Sequence, residues 1–196
     1  MEPNYDDNLV ASYLAGDVAA FDKLFERHQR GLFSYLYSMV GSREDVEDLF
    51  QEAFLRAIAA LPRYRARGKF RAWLYKIARN LARDRVRELM VRGNPVRIGT
   101  MSSNDVESRQ PVLDLPDSKP SPRNVAVSRE KQNWIDRAIE TLPAAQREVF
   151  VLREYAGMPF KEIALVQRRP IGTVLARMHY ALEKLRAELK SEEESY

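Results

Sequence analysis

Asp45-Val-Glu-Asp-Leu-Phe-Gln-Glu-Ala-Phe-Leu-Arg-Ala57 and Phe70-Arg-Ala-Trp-Leu-Tyr-Lys-Ile-Ala-Arg-Asn-Leu-Ala-Arg-Asp-Arg-Val-Arg87 are the stretches whose reading decides the fold. In the first, Val46, Leu49, Phe50, Ala53, Phe54 and Ala57 fall at helical spacing, the stripe of a helix buried along one side. In the second, Trp73, Leu74, Ile77, Ala78 and Leu81 do the same. The outer faces differ in sign: Asp48, Gln51 and Glu52 on one, Arg71, Tyr75, Arg79 and Arg83 on the other. An acidic face suits a basic protein surface, and a basic face bearing an aromatic ring suits nucleic acid. The order predicts a chain that bridges protein and DNA.

The formal net charge of +4 conceals this division. Residues 1–54 hold eleven acids against four bases, net −7, whereas Arg56 to Arg97 hold thirteen bases against Asp84 and Glu88, net +11. Blocks of opposite sign imply separate surfaces. The chain's 196 residues, 45% of them hydrophobic, suffice for two small domains. There is no cysteine, hence no disulfide framework and no thiolate chemistry. No apolar run approaches the roughly 20 residues of a membrane helix, and the acidic start Met1-Glu-Pro-Asn-Tyr-Asp-Asp7 does not read as a signal peptide. A cytoplasmic protein without direct membrane insertion is expected.

Helical periodicity runs through most of the chain, with no sustained period-two alternation, so the fold class is all-α. A first helical pair spans about Asn8 to Val40, with Leu9, Tyr13, Leu14, Phe21, Leu24, Phe25, Leu32, Phe33 and Leu36 inward. Gly16-Asp17 breaks it, Asp17 capping the second helix, and Ser42 caps the third. Leu61-Pro-Arg-Tyr-Arg-Ala-Arg-Gly-Lys69 reads as an unusually basic loop. Residues 93–124 carry five of the ten prolines and no apolar stripe, a flexible linker longer than ordinary connections. Helicity resumes near Val125, with Trp134, Ile135, Ala138, Ile139 and Leu142 inward. Pro143 starts a helix through Val149-Phe-Val-Leu152, and Ala156-Gly-Met-Pro159 ends it. Phe160–Ala164 and the helix opened by Pro170-Ile-Gly-Thr-Val174 are spaced as a helix-turn-helix, packed through Ile163, Ala164, Val174 and Met178.

These motifs in this order resemble the bacterial sigma factors of the extracytoplasmic-function group, sigma-70-like, from about Gly16 to Leu189. The resemblance rests on Gly16-Asp17 with Ala20-Phe21 and Leu24-Phe25; on Asp45–Ala57 and Phe70–Arg87; on Leu142-Pro143 with Arg147-Glu-Val-Phe150; and on Glu162-Ile-Ala164 with Gly172-Thr-Val174. It implies a sigma-two-like helical bundle (1–92), the flexible linker (93–124), a sigma-four-like helix-turn-helix domain (125–190) and an acidic tail (191–196). It implies three partners: core RNA polymerase, promoter DNA as duplex and as single-stranded non-template strand, and an anti-sigma factor. Polymerase contacts would be Asp48, Gln51, Glu52 and Leu55; an i,i+4 pair of Glu52 or Asp48 with a basic neighbour is the bland alternative, contributing only about 0.2–0.5 kcal/mol.

The minus-ten element would be opened and read by Tyr64, Tyr75 and Asn80 on the base side and Arg63, Arg65, Arg67, Lys69, Arg71, Lys76, Arg79 and Arg83 on the phosphates. Aromatic stacking recovers about 1–3 kcal/mol per unstacked base. Trp73, on the apolar stripe, is read as core, and Asn80 as either a base contact or a buried amide. The minus-thirty-five element would fall to Arg168, Arg169, Thr173, Leu175, Ala176, Arg177 and His179. Here the chain departs from the family pattern: Gln167-Arg168 replaces the usual Leu-Gly of the turn, and Leu175-Ala176 the usual Lys-Ser. A non-glycine at positive φ is uncommon, so a turn distorted or rebuilt around Pro170 is expected, with Arg177 on DNA or paired with Glu162. Two isolated histidines and no glycine-rich phosphate loop offer no active site and no cofactor or metal; His28 reads as a surface or packing residue. The other function class is a stand-alone helix-turn-helix repressor or activator, which binds duplex DNA unaided; RNA binding is a weaker third.

Overall fold

The computed structural model describes residues 5–65, 67–93 and 137–193, and among them every regular element is helical. The helices are α1 (Tyr5–Leu14), α2 (Val18–Val40), α3 (Arg43–Ala60), a 3-10 turn at Leu61–Arg63, and α4 (Phe70–Val91). After a helical stretch at residues 137–140 come α5 (Ala144–Glu154), α6 (Phe160–Gln167) and α7 (Ile171–Glu193). Most of the linker, together with Trp134 and Ile135, lies outside the described residues.

The punctuation follows backbone chemistry. Gly41, at φ 71°, caps α2 in the left-handed region and donates its N–H to the Tyr37 carbonyl. Ser42 then accepts the Asp45 N–H at 3.4 Å and starts α3, with Glu44 and Asp45 near the positive end of its dipole. Asp17 occupies the corresponding position before α2, but its side chain makes no cap hydrogen bond. The expected cap there is positional only: the Asp17 carbonyl, not its carboxylate, accepts from Ala20.

The predicted α3 stripe is inward: Val46, Leu49, Ala53, Phe54 and Ala57 are buried, and Phe50 packs on Phe25, Phe33 and Phe54 with ring centroids 5.0–5.7 Å apart. Leu24, Leu32 and Leu36 of α2 and Leu74, Ala78 and Leu81 of α4 complete the first core. Leu14, expected inward, stands 49% exposed where α1 ends. Ile139, Leu142, Val149, Leu152, Met158, Ile163, Val166, Val174 and Met178 form the second core.

The two units are packed together, α2 against α5 and α4 against α6. Tyr35 and Tyr75 are both fully buried with rings 5.5 Å apart. Gly31 makes room for this: a Cβ there would stand 2.6 Å from the Tyr75 hydroxyl and 3.2 Å from Ala156 Cα. Burial of one large side chain contributes roughly 1.5–3 kcal/mol.

Candidate functional site

On α3, Asp48, Gln51 and Leu55 are exposed, Leu55 at 62%, and Glu52 is half-buried. Their spacing is the reverse of the core stripe, so burying one face necessarily presents the other. Glu52 pairs with Arg56 at 2.6 Å on the solvent side of the helix. Asp45, in the first turn, is tied instead to Arg85 of α4 at 2.6 Å. The face stays open although the two units are packed together.

The basic residues of 61–87 divide into two sets. Arg63, Arg65, Arg67 and Lys69 of the loop are exposed, as are Asn80 and Arg83, with Lys76 half-buried. Along α4, positions 69, 73, 76, 80 and 83 form one stripe continuous with the loop. Asn80 is therefore not a buried amide. Trp73, expected in the core, is half-buried on this stripe, its ring 4.9 Å from Tyr64 and 5.6 Å from Phe70.

The second set turns away from solvent. Arg71 donates to Glu162 at 3.0 Å and to the Gly157 carbonyl at 3.2 Å. Arg79 donates to Glu148 at 2.6 Å. Tyr75, expected on the exposed face with them, is 1% exposed, so that expectation is corrected: here it is a core residue between the units, covered as Arg71 and Arg79 are. Positions 71, 75 and 79 lie one turn apart and share the face that α5 and α6 cover. Tyr64 is half-buried and its hydroxyl is engaged, donating to Asp7 at 2.7 Å.

Glu148 is the centre of the inter-unit contact. Only 5% exposed, it accepts from Arg79, from the Tyr35 hydroxyl at 2.9 Å and from Gln167 Nε2 at 2.8 Å. Burial, then the charge of Glu148, pushes the Tyr35 hydroxyl well above its ordinary range. Burial would lower Arg79, but the hydrogen bond and charge of Glu148 outweigh it and raise it. Burial likewise lowers Arg147, which donates to the Glu140 carbonyl at 3.1 Å. The signal for Glu148 was its place among apolar residues, four positions before Leu152.

In the helix-turn-helix, Arg168, Arg169, Leu175, Ala176 and His179 are exposed, and Thr173 and Arg177 half-buried. The turn is not rebuilt around Pro170. Arg168 adopts the left-handed backbone itself, φ 53° and ψ 49°, and its N–H caps α6. Arg177 does not pair with Glu162, which Arg71 holds; it donates to Gln167 Oε1 at 2.7 Å. Gln167, 3% exposed, thus spans from Arg177 to Glu148. His28 is a packing residue, 5% exposed, against Phe70 and Asp6.

Among the described residues no group of three or more His, Cys, Asp or Glu is disposed to hold a metal ion, and no helix is long and apolar enough to cross a membrane. Two family models match in chain order: Sigma-70 region 2 over residues 24–90, and Sigma-70, region 4 over residues 132–185. The ECF RNA polymerase sigma-E factor of Escherichia coli K12 is 33% identical over 180 residues, 92% of each chain. The chain belongs to the extracytoplasmic-function sigma factors. The RNA polymerase sigma-H factor of Pseudomonas aeruginosa PAO1 is 31% identical over 92% of this chain and 91% of its own. Among solved structures, CnrH in complex with the cytosolic domain of CnrY is similar at TM-score 0.66 and 26% identity, covering 95% of this chain and 98% of that one. This sigma factor is accordingly a transcription initiation factor that directs RNA polymerase to promoters. The basic and acidic faces above are surfaces of that machine.

Proposed function

We propose that α3 docks on core polymerase through Asp48, Gln51, Glu52 and Leu55 while residues 61–87 open and read the minus-ten element. The observation that carries this reading is the sorting of surfaces: the acidic face is open, and a basic stripe continuous with the loop is open beside it. Arg63, Arg65, Arg67, Lys69, Lys76 and Arg83 follow the phosphates of the non-template strand. Tyr64 and Trp73 offer ring surface, and Asn80 an amide for base edges. Arg71 and Arg79 join only after the second unit leaves them. The minus-thirty-five duplex is bound by the second unit, with Leu175 and Ala176 toward thymine methyls and Arg168, Arg169, Thr173, Arg177 and His179 toward phosphate or guanine.

The functional boundaries follow: residues 1–92 for polymerase and minus-ten contacts, 125–190 for the minus-thirty-five element, 93–124 as the tether. A tether raises the effective concentration of the second domain at its element once the first is bound. Bond making belongs to the polymerase, and the chain works in the cytoplasm where that enzyme is. An anti-sigma factor holds it inactive until a stress or envelope signal; the similar CnrH, in complex with the cytosolic domain of CnrY, motivates this.

Multi-round transcription by core polymerase plus this protein, on templates selected from a random-sequence pool, tests the division of labour. Asn80→Ala should relax or lose the preference at the minus-ten element alone, and Arg168→Ala with Arg169→Ala should weaken the upstream element alone. Duplex binding by the free protein on a two-fold site, with no stimulation of polymerase, would favour the stand-alone regulator instead.

A further inference from the structure

The basic loop has an anchor outside the matched family regions, on α1. Four cations, Arg63, Arg65, Arg67 and Lys69, fall within seven residues, and like charges so placed repel and favour an open, fluctuating loop. Its described residues are nevertheless held at two points. Asp7, 7% exposed, sits beneath it and accepts twice: from the Tyr64 hydroxyl at 2.7 Å and from the Gly68 N–H. One carboxylate thus holds both ends of a five-residue span. Gly68 takes φ 65°, the left-handed turn the path needs. Tyr64 closes from the other side, edge-on to Phe70 with centroids 5.8 Å apart. Asp6, the preceding residue, faces α2 instead, 2.9 Å from Arg27 and 3.0 Å from His28, so α1 is itself fixed in place.

We propose that Asp7 is a positioning residue for promoter opening, holding Tyr64 and Gly68 so that Arg65 and Arg67 are presented outward as a preformed surface for the displaced strand. This rests on the reading of residues 61–69 as the promoter-opening segment. A loop tied at two points has less conformational freedom to lose when it binds, so the benefit falls on the step in which the strand must be captured. Arg65 and Arg67 are exposed while the residues that hold the loop are not. The Tyr64 hydroxyl, raised by burial and then by Asp7, stays protonated as a donor across the physiological range.

The test uses reconstituted holoenzyme on a linear template that the wild-type holoenzyme has selected from a random-sequence pool, with 2-aminopurine in the minus-ten region. A second template carries a pre-melted bubble at the same place. Asp7→Asn keeps size and removes charge, and Tyr64→Phe keeps the ring and removes one donor. Each should slow duplex opening, Asp7→Asn by roughly tenfold, the scale of one hydrogen bond to a charged acceptor. For Asp7→Asn, core-polymerase affinity and transcription from the pre-melted template should stay near wild type, which a merely unfolded loop or bundle would not allow. Wild-type opening rates in both variants overturn the proposal, and so does an equal loss on the pre-melted template. Arg65→Ala with Arg67→Ala tests the underlying reading separately. If that pair opens DNA normally, the loop is not the opening segment; if it is defective while Asp7→Asn and Tyr64→Phe are normal, the loop acts without its anchor.

Discussion

Arg168 and Glu148 each carry a costly local choice. A left-handed backbone costs a non-glycine residue roughly 1–2 kcal/mol, and Arg168 holds one at φ 53°. Arg168→Gly should therefore raise stability in urea denaturation, by about 0.5–1 kcal/mol after glycine's greater unfolded freedom is subtracted. If Arg168 also contacts phosphate, the same variant should bind upstream DNA more weakly, with the salt slope reduced by about 1; a slope unchanged from wild type would remove it from the interface. Glu148 accepts from three side chains in a buried site. Glu148→Leu strands Arg79, Tyr35 and Gln167 and should cost about 2–4 kcal/mol in the same assay, against about 1 kcal/mol for Tyr35→Phe. Equal, small losses would mean that Glu148 is no hub. Neither Glu148's role nor Tyr75's burial was legible in residue type alone. A charged residue on an apolar stripe says that a partner exists but not which, and Tyr75 is covered by Tyr35, 40 residues earlier, and by the second unit, neither of which its own helix reveals.

At the scale of elements, α3 and α4 were legible because one face of each is uniformly apolar and the breaks before them are local: the Ser42 cap before α3, and the left-handed turn at Gly68 before α4. What periodicity could not separate were the two polar sides of α4. Arg71 and Arg79 look like Lys76 and Arg83 in sequence, and only the packing of α5 and α6 divides them. Gly31 marks that packing. In an ordinary helix Gly→Ala gains about 1 kcal/mol, but here the new methyl meets the Tyr75 hydroxyl and Ala156 backbone. Gly31→Ala should therefore speed hydrogen exchange along the α2–α5 contact; slower exchange there would contradict this. Helix α1 supplies a pH prediction. Burial opposes ionisation of Asp6, but His28, with Arg27 and Arg71, outweighs it and holds its carboxyl below the ordinary range. A depressed folded value means that the unfolded chain takes up the proton first. This stabilisation is present above the unfolded carboxylate pKa of about 4, and is lost as pH falls through the folded value. Asp6→Asn should be less stable than wild type at pH 6, and the gap should narrow below about pH 4. A constant gap would show that the ion pair is not its source.

For the whole molecule, the arrangement pairs an open acidic face on α3 with a covered face on α4. Freeing Arg71 and Arg79 requires the second unit to move away, whereas the α3 face is already open. The proposed roles therefore predict docking first and separation second. Because the chain has no cysteine, single cysteines at Ala59 and Ala187 accept dyes specifically. Energy transfer between them should be high in the free protein and fall when core polymerase is added; no change would mean that the units stay packed in the holoenzyme. The two-unit plan was legible from the proline-rich interval, whereas their packing was not, since it depends on Gly31, Tyr35, Tyr75 and Glu148 meeting across that interval. The most direct test of the account is equilibrium binding of the purified protein to bacterial core RNA polymerase, compared with Asp48→Arg, Glu52→Arg. Tight binding by the wild type, weakened at least about a hundredfold in a variant with unchanged circular dichroism, is the predicted result, the scale of two reversed charges facing a basic surface. Equal binding by both proteins would contradict the assignment of α3 as the docking face.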